Sequence, residues 1–534
     1  MTDSGEPPVG VVGAGTMGAG IAQVAAVAGR RVLLADAVDG AAARAIDQIR
    51  DRVKAQVAKG RLDVDPDALL ITATSVDAFA DCDVVVEAIV EDLAAKRALF
   101  GELERVVPPG CLLASNSSSL SPTAMAAGLA RPERLVGLHF FNPVPAMRLA
   151  EVISGLATSP EAASRAAELA GRWGKTVVRS AAMPGFIVNR IARPFYAEAW
   201  RLLEEHAAVP EVIDAVLTGA GGFRMGPFAL MDLIGHDVNE AVTRSVWTAF
   251  SHDSRFAPPL AQRALVEAGW LGRKAGRGVY AYADGGTPPG PVPASAVPPT
   301  AVPPTAVPAS AVPASAVPAS AVPASAVPAG PAAAPAEVTE HGTSALRPFL
   351  SGAAVRPGNR DDTDAGLPGG FVELPSGALL SSCEGATATS LAAATQRPVI
   401  VADRTGNSPS AIAIAASDGC PAAAVTEATG LFQAAGLDVF VIGDVPGLIV
   451  ARTVAMLANL AADALAARVA SAGDIDTAMR LGVNYPVGPL AWSRQWGART
   501  VLTILDSLEN WYRDGHYRAS PLLRRAVLSG RELA

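Results

Sequence analysis

The chain has 534 residues, of which 50% are hydrophobic, 18% charged and 5% aromatic, with a formal net charge of -8. That length exceeds what one hydrophobic core organises, so several domains are expected. The acidic balance leaves no basic face for a nucleic-acid backbone, no apolar run reaches the roughly 18 to 20 residues that span a bilayer, and four scattered cysteines without a CxxC pair fit neither a disulfide framework nor a metal site.

The N-terminal stretch is acidic before its first apolar run and lacks the basic region and cleavage site of a signal peptide, which makes the cytoplasm the expected location. VGVV (9–12) reads as a strand that runs into GAGTMG. In that turn Gly13 permits the tight bend, Gly15 lets the backbone approach a pyrophosphate, and Gly18 allows close helix-to-strand packing. Thr16 and Met17 complete the entry into a helix whose free N–H groups favour phosphate. The next strand, RVLLAD (31–36), ends on Asp36, where a carboxylate binds ribose hydroxyls and repels a 2'-phosphate. NAD is therefore expected over NADP. Arg30 and Arg31 do not alter this, because they begin the strand and lie roughly 16 Å from its ligand end at about 3.3 Å per residue. CDVVVEAI (82–89) and LLAS (112–115) follow between Ala-rich helical stretches, a βαβ pattern that predicts a parallel sheet.

Three segments then place polar residues in apolar surroundings: SNSSSL (115–120), LVGLHFFNPVPAMRLAEVI (135–153) and PGFIVNRI (184–191). A lone His139 in such a run reads more readily as a core histidine than as a catalyst. Glu151, twelve residues later, reverses this, since a hairpin-like or adjacent-strand return sets its carboxylate against the imidazole. Alcohol oxidation needs that pair: the imidazole takes the hydroxyl proton as hydride leaves, and the carboxylate orients the ring.

After Pro184 the pattern turns to long amphipathic stretches without strands, a helical domain. Between about Gly285 and Pro335 the prolines recur every five residues from Pro293 through Pro328, which predicts an extended, poorly packed linker. Beyond it, PGLIVART (446–453) repeats PGFIVNRI, and GVNYPVGPLAW (482–492) repeats GFRMGPFALMD (222–232). The helical domain thus occurs twice. The second copy has Ala451 where the first has Asn189, and RPVIVADRTG (397–406) carries no glycine fingerprint, so a single catalytic unit is expected. The divisions are 1–183 for the cofactor domain, 184–283 for the first helical domain, 284–344 for the linker, 345–443 for a degenerate α/β region and 444–534 for the second helical domain.

GAGTMGAGIAQ, VVVEAIVED, GLHFFNPVPAM and PGFIVNRI, in this order, resemble the 3-hydroxyacyl-CoA dehydrogenase family, over roughly residues 8–283 and 395–530. The resemblance implies an α/β Rossmann-like NAD-binding domain followed by an all-α, 6-phosphogluconate-dehydrogenase-like domain that is duplicated after the linker. It implies NAD-dependent oxidation of an L-3-hydroxyacyl-CoA to the 3-oxoacyl-CoA, with His139 and Glu151 as the dyad and Ser118 and Asn189 at the substrate oxygen. Glu91, Lys96, Asn142 and Lys274 are implied as NAD contacts. Ser117 stands where the family usually has threonine. Lys59, on the basic stretch 44–61, is the candidate for the CoA phosphates, with a solvated charged face as the equal alternative.

DIDTAMRLGVNYPVGPLAW (474–492) resembles the second helical domain of long bacterial members, among them 3-hydroxyadipyl-CoA dehydrogenases, which leaves fatty acid β-oxidation and phenylacetate-type catabolism both open. Because the family dimerises through its helical domain, the resemblance implies either a homo-oligomer or intramolecular pairing of the two copies. Two other readings share the fingerprint. A dehydrogenase of a free 3-hydroxyacid fits the HFFNP and Glu151 arrangement poorly, and a non-catalytic NAD- or CoA-binding relative has no need of an intact His139, Glu151, Ser118 and Asn189.

Overall fold

A computed structural model describes residues 5–282, 332–342, 344–358, 367 and 370–533. Most of the expected linker therefore lies outside the described residues. The rest divides into two compact units, residues 1–191 with 463–490, and residues 192–462 with 491–534. No helix among the described residues is long and apolar enough to cross a membrane.

The first unit is built on eight strands: β1 (Val9–Val12), β2 (Val32–Ala35), β3 (Leu70–Thr72), β4 (Val84–Glu87), β5 (Leu112–Ser115), β6 (Leu135–Phe140), β7 (Leu149–Ser154) and β8 (Thr176–Ala181). Their order in the sheet is β3-β2-β1-β4-β5-β6-β7-β8. All neighbours are parallel except β6 and β7. Residues of β1, β4 and β5 are buried throughout, because helices cover both faces, as the near-continuous apolar runs require. The strand order reverses between β1 and β4, the switch point at which open α/β sheets receive ligands beyond their carboxyl ends. The single antiparallel step, β6 to β7, turns the chain back within one short connection.

Part of the second helical copy belongs to this unit. Helix Ala472–Gly482 packs on β7, β8 and the short helix Val188–Ile191. Ala181, at the end of edge strand β8, donates its N–H to Val469 O at 2.7 Å.

In the second unit a seven-stranded mixed sheet comprises β9 (Glu337–His341), β10 (Ala354–Pro357), β11 (Phe371–Glu373), β12 (Leu379–Ser382), β13 (Val399–Ala402), β14 (Ala411–Ala416) and β15 (Asp438–Val441). The order is β10-β9-β11-β12-β13-β14-β15. Strand β9 falls inside the stretch assigned to the linker, which corrects that boundary. EVTEH is short and mostly polar, and it is a strand because β10 and β11 pair with it on both sides.

Residues of both helical copies share the core of the second unit. Leu460 packs with Val246 and Phe256. Arg452 is 0% exposed and donates to Glu198 Oε2 at 3.1 Å and to Glu205 Oε2 at 2.9 Å. His516 Nε2 lies 2.7 Å from Glu198 Oε1, and Tyr517 donates to Glu198 Oε2 at 2.7 Å. Burial by itself would raise the Glu198 carboxyl, but the charges of His516 and Arg452 outweigh it and hold the group down at about 2. Gly443 N donates to Ala207 O at 2.8 Å, which repeats the Ala181–Val469 bond with the donor moved later in the chain and the acceptor moved earlier by the same number of residues.

Candidate active site

The site starts where β1 meets helix Thr16–Val27. Gly13 has φ +104°, and a Cβ on it would collide with Ala88 O, while one on Gly18 would collide with Gly13 O. Glycine is therefore obligatory at both. Gly15 differs: a Cβ there would meet nothing within 4 Å, and no side chain caps the helix N-terminus that it begins. The open space faces the unpaired amides, at Thr16 and Met17, that suit a pyrophosphate. Asp36, just past β2, accepts from Ala14 N at 2.6 Å and Val38 N at 2.8 Å, so its carboxylate is fixed beside the same turn with lone pairs remaining for ribose hydroxyls.

Glu91 organises the serine-rich segment after β5. Its Oε1 accepts from Ser117 Oγ at 2.6 Å, Ser119 Oγ at 2.8 Å, Ser118 N at 3.2 Å and Ser119 N at 3.1 Å. Burial acts to raise its carboxyl, but Ser117, Lys96 and Ser119 together keep it below the usual carboxylate range. Lys96 is 1% exposed, and its ammonium meets Glu87 Oε1 at 2.5 Å and Glu91 Oε2 at 3.3 Å. Ser115 completes this cluster by donating to Glu87 Oε2 at 2.6 Å. Glu87, Ser115 and Asn116 have no place in the expected site. Asn116 Oδ1 accepts from Phe140 N at 2.9 Å, tying the serine segment to the end of β6. A carboxylate ending the apolar run VVVE was the available signal for Glu87.

His139 and Glu151 are directly opposed in the β6–β7 pair. Nδ1 lies 2.7 Å from Glu151 Oε2, with the histidine 6% and the glutamate 0% exposed. Glu151 Oε1 accepts from Ile187 N and Val188 N, each at 3.2 Å. With a carboxylate as partner, Nδ1 carries the ring proton, which leaves Nε2 as a basic lone pair. The Phe141 ring lies 4.6 Å from the imidazole and Phe186 5.9 Å. The two amides reach Glu151 because Gly185 (φ +72°) and Phe186 (φ +47°) are both left-handed, an uncommon conformation for a phenylalanine. Ser118 is half-buried beside Glu91, and Asn189 half-buried on helix Val188–Ile191.

Asn142 is exposed one residue after Phe141. Lys59 is exposed just past helix Ala41–Val57; Gln56 and Leu62 on either side of it line a cleft of about 400 Å³ with Arg148 and Arg172. Lys274 belongs to the second unit, where its ammonium meets Asp237 at 2.6 Å.

The second copy keeps the turn and changes the occupant. Gly447 and Leu448 are left-handed like Gly185 and Phe186. β13 and β14 are antiparallel and β14 and β15 parallel, as are β6, β7 and β8. Aligned on the shared Pro-Gly turn, Ala413 takes the place of Glu151, and Asp403, which donates its N–H to Ala413 O, takes the place of His139. The Asp403 carboxylate accepts from Ile449 N, Val450 N and Ala451 N at 2.7–3.0 Å. The position thus holds neither an imidazole nor an asparagine.

A cofactor cradle and an imidazole with a free Nε2, both at the carboxyl ends of the parallel strands, define the class as an NAD-dependent oxidoreductase acting on a hydroxyl group. Comparison with known proteins narrows this. The 3-hydroxyacyl-CoA dehydrogenase NAD binding domain matches residues 8–183, and the C-terminal domain of the same family matches twice, at 185–282 and 447–532. The reduced Rossmann-fold domain of 3-hydroxybutyryl-CoA dehydrogenase matches 380–446. A 3-hydroxyadipyl-CoA dehydrogenase of Escherichia coli K12 is 43% identical over 524 residues, 97% of each chain. A probable 3-hydroxybutyryl-CoA dehydrogenase of Bacillus subtilis 168 is 41% identical over 278 residues, 51% of this chain and 96% of its own. The crystal structure of a 3-hydroxybutyryl-CoA dehydrogenase from Escherichia coli K12 substr. MG1655 has a TM-score of 0.82 at 42% identity, covering 98% of this chain and 99% of that one. The chain belongs to the 3-hydroxyacyl-CoA dehydrogenase family, and its chemistry is the NAD-dependent oxidation of a 3-hydroxyacyl-CoA.

Proposed function

We propose that the chain oxidises medium dicarboxylyl substrates, 3-hydroxyadipyl-CoA foremost, to the 3-oxoacyl-CoA in the cytoplasm, with His139 as base. The observation that carries the chemistry is the 2.7 Å contact between His139 Nδ1 and Glu151 on neighbouring strands. Nε2 takes the proton of the 3-hydroxyl, while Glu151 orients the ring and stabilises the imidazolium. Ser118 Oγ and the Asn189 amide hold the substrate oxygen. Gly13, Gly15, Thr16, Met17 and Gly18 would hold the pyrophosphate of NAD and Asp36 its ribose, with Glu91, Lys96 and Asn142 as further contacts, and NAD would supply the hydride acceptor. Lys59 and the cleft beside it take the CoA phosphates.

The substrate assignment draws on the full-length relative named 3-hydroxyadipyl-CoA dehydrogenase. NADH formation followed by absorbance is expected with both 3-hydroxybutyryl-CoA and 3-hydroxyadipyl-CoA, and kcat/KM is expected to be higher for the dicarboxylyl thioester. A higher value for butyryl would overturn the substrate assignment, and no turnover with any acyl-CoA would overturn the function.

Intramolecular pairing of the helical copies belongs to the same reading. Its support lies within the second unit, where Arg452 of the second copy is buried against Glu198 of the first and Leu460 packs with Val246 and Phe256. The full chain is expected to sediment as a monomer of 54.3 kDa. A stable dimer across micromolar concentrations would count against pairing within the chain.

A further inference from the structure

Gly482, the last residue of helix Ala472–Gly482, is buried in the first unit. A Cβ on it would lie 2.8 Å from Leu149 Cδ2, 3.0 Å from Val188 Cγ2 and 3.6 Å from Phe141 Cε1. Its φ is not left-handed, so the missing side chain supplies space rather than backbone freedom. Each of the three neighbours bears on the dyad from a different side. Leu149 lies two residues before Glu151 on β7, and so shares its face of the strand. Val188 donates its N–H to Glu151 Oε1. The Phe141 ring packs against the imidazole.

We propose that the second helical copy, which has no catalytic asparagine of its own, is a positioning element for the dyad of the first, and that Gly482 is the residue through which it acts. Close-packed interiors pass a displacement on rather than absorb it. Val188 is β-branched and stiff at χ1, so a side chain at 482 moves its backbone. That movement lengthens the N–H bonds to Glu151, and the further methyl groups of a valine crowd Phe141, whose ring packs on the imidazole. The Ala181–Val469 bond fixes the same segment along edge strand β8, so the helix cannot slide away to make room.

The inference rests on the reading of His139 and Glu151 as the dyad. Its test uses the full chain with Gly482→Val, the milder Gly482→Ala, and Gly473→Ala as a control. Gly473 is in the same helix but meets nothing closer than Ser471 Oγ at 4.0 Å. In Gly482→Val, kcat is expected to fall roughly 10- to 100-fold, the scale on which a misplacement of about 1 Å acts. The acidic limb of the pH profile of kcat/KM shifts with it, while NAD affinity and the KM for acyl-CoA change little. Gly482→Ala shows the same pattern more weakly and carries the test if the valine variant does not fold; Gly473→Ala keeps full kcat.

Folded Gly482 variants with unchanged kcat and pH profile, differing only in melting temperature, would overturn the proposal. So would loss of NAD binding in step with kcat. If His139→Gln kept full turnover, the dyad reading itself would fail whatever the Gly482 variants did. Loss of turnover in His139→Gln with none in Gly482→Val removes the positioning role alone.

Discussion

In His139→Gln, kcat for 3-hydroxyacyl-CoA oxidation falls by roughly 10²- to 10⁴-fold, the contribution typical of a positioned general base, while NAD affinity stays within about twofold. Glutamine fills much of the space beside Phe141 and can still bond Glu151, so the β6–β7 pair has no reason to rearrange. What it lacks is a ring nitrogen whose lone pair can accept the hydroxyl proton. NADH absorbance at saturating substrate gives kcat, and calorimetric titration gives NAD affinity. Near-normal turnover, or equal loss of cofactor binding, would remove His139 from the role of base.

Glu151→Gln is expected to lose kcat by on the order of 10³-fold or more, for a different reason. The glutamine carbonyl can still accept from Ile187 N and Val188 N, so the left-handed turn keeps its anchor. Its NH₂ then faces His139 Nδ1. A donor at that position forces Nδ1 to accept, which moves the ring proton to Nε2 and removes the lone pair that takes the hydroxyl proton. The corresponding acid-to-amide change in Ser–His–Asp hydrolases, where the geometry survives and the tautomer does not, costs about 10⁴. Melting temperature should change far less than kcat. A variant that kept a tenth of the wild-type kcat would show that the carboxylate does not set the tautomer.

How far these residues could be read from sequence depends on the distance over which each interaction is encoded. The Gly13–Gly18 turn and Asp36 belong to one βαβ unit, and the glycines appear where backbone collisions demand them. The twelve-residue step from His139 to Glu151 is spanned by one antiparallel return, so an expected adjacent-strand contact became a direct cross-strand pair. The cluster of Glu87, Lys96 and Ser115 joins two strands and a helix. Its members are individually unremarkable polar residues, and only the parallel register makes them one group. Strand β9 was not legible because its pairing with β10 and β11, and not its own pattern, makes it a strand. Asp403 stands in an otherwise apolar stretch that shows no similarity to HFFNP, and its equivalence to His139 emerges only from the register of β13 and β14.

The bond from Ala181 to Val469 also sets an order of events in synthesis. Strand β8 leaves the ribosome about 290 residues before the segment that satisfies its last amide. At ~5–20 residues per second that interval is on the order of 15–60 s. Throughout it the last amide of edge strand β8 lacks this partner, on the kind of surface through which nascent sheets pair with the wrong chain. That contact has a very high sequence separation, and such contacts form slowly, so the end of β8 receives its partner only when nearly the last part of the chain has been made.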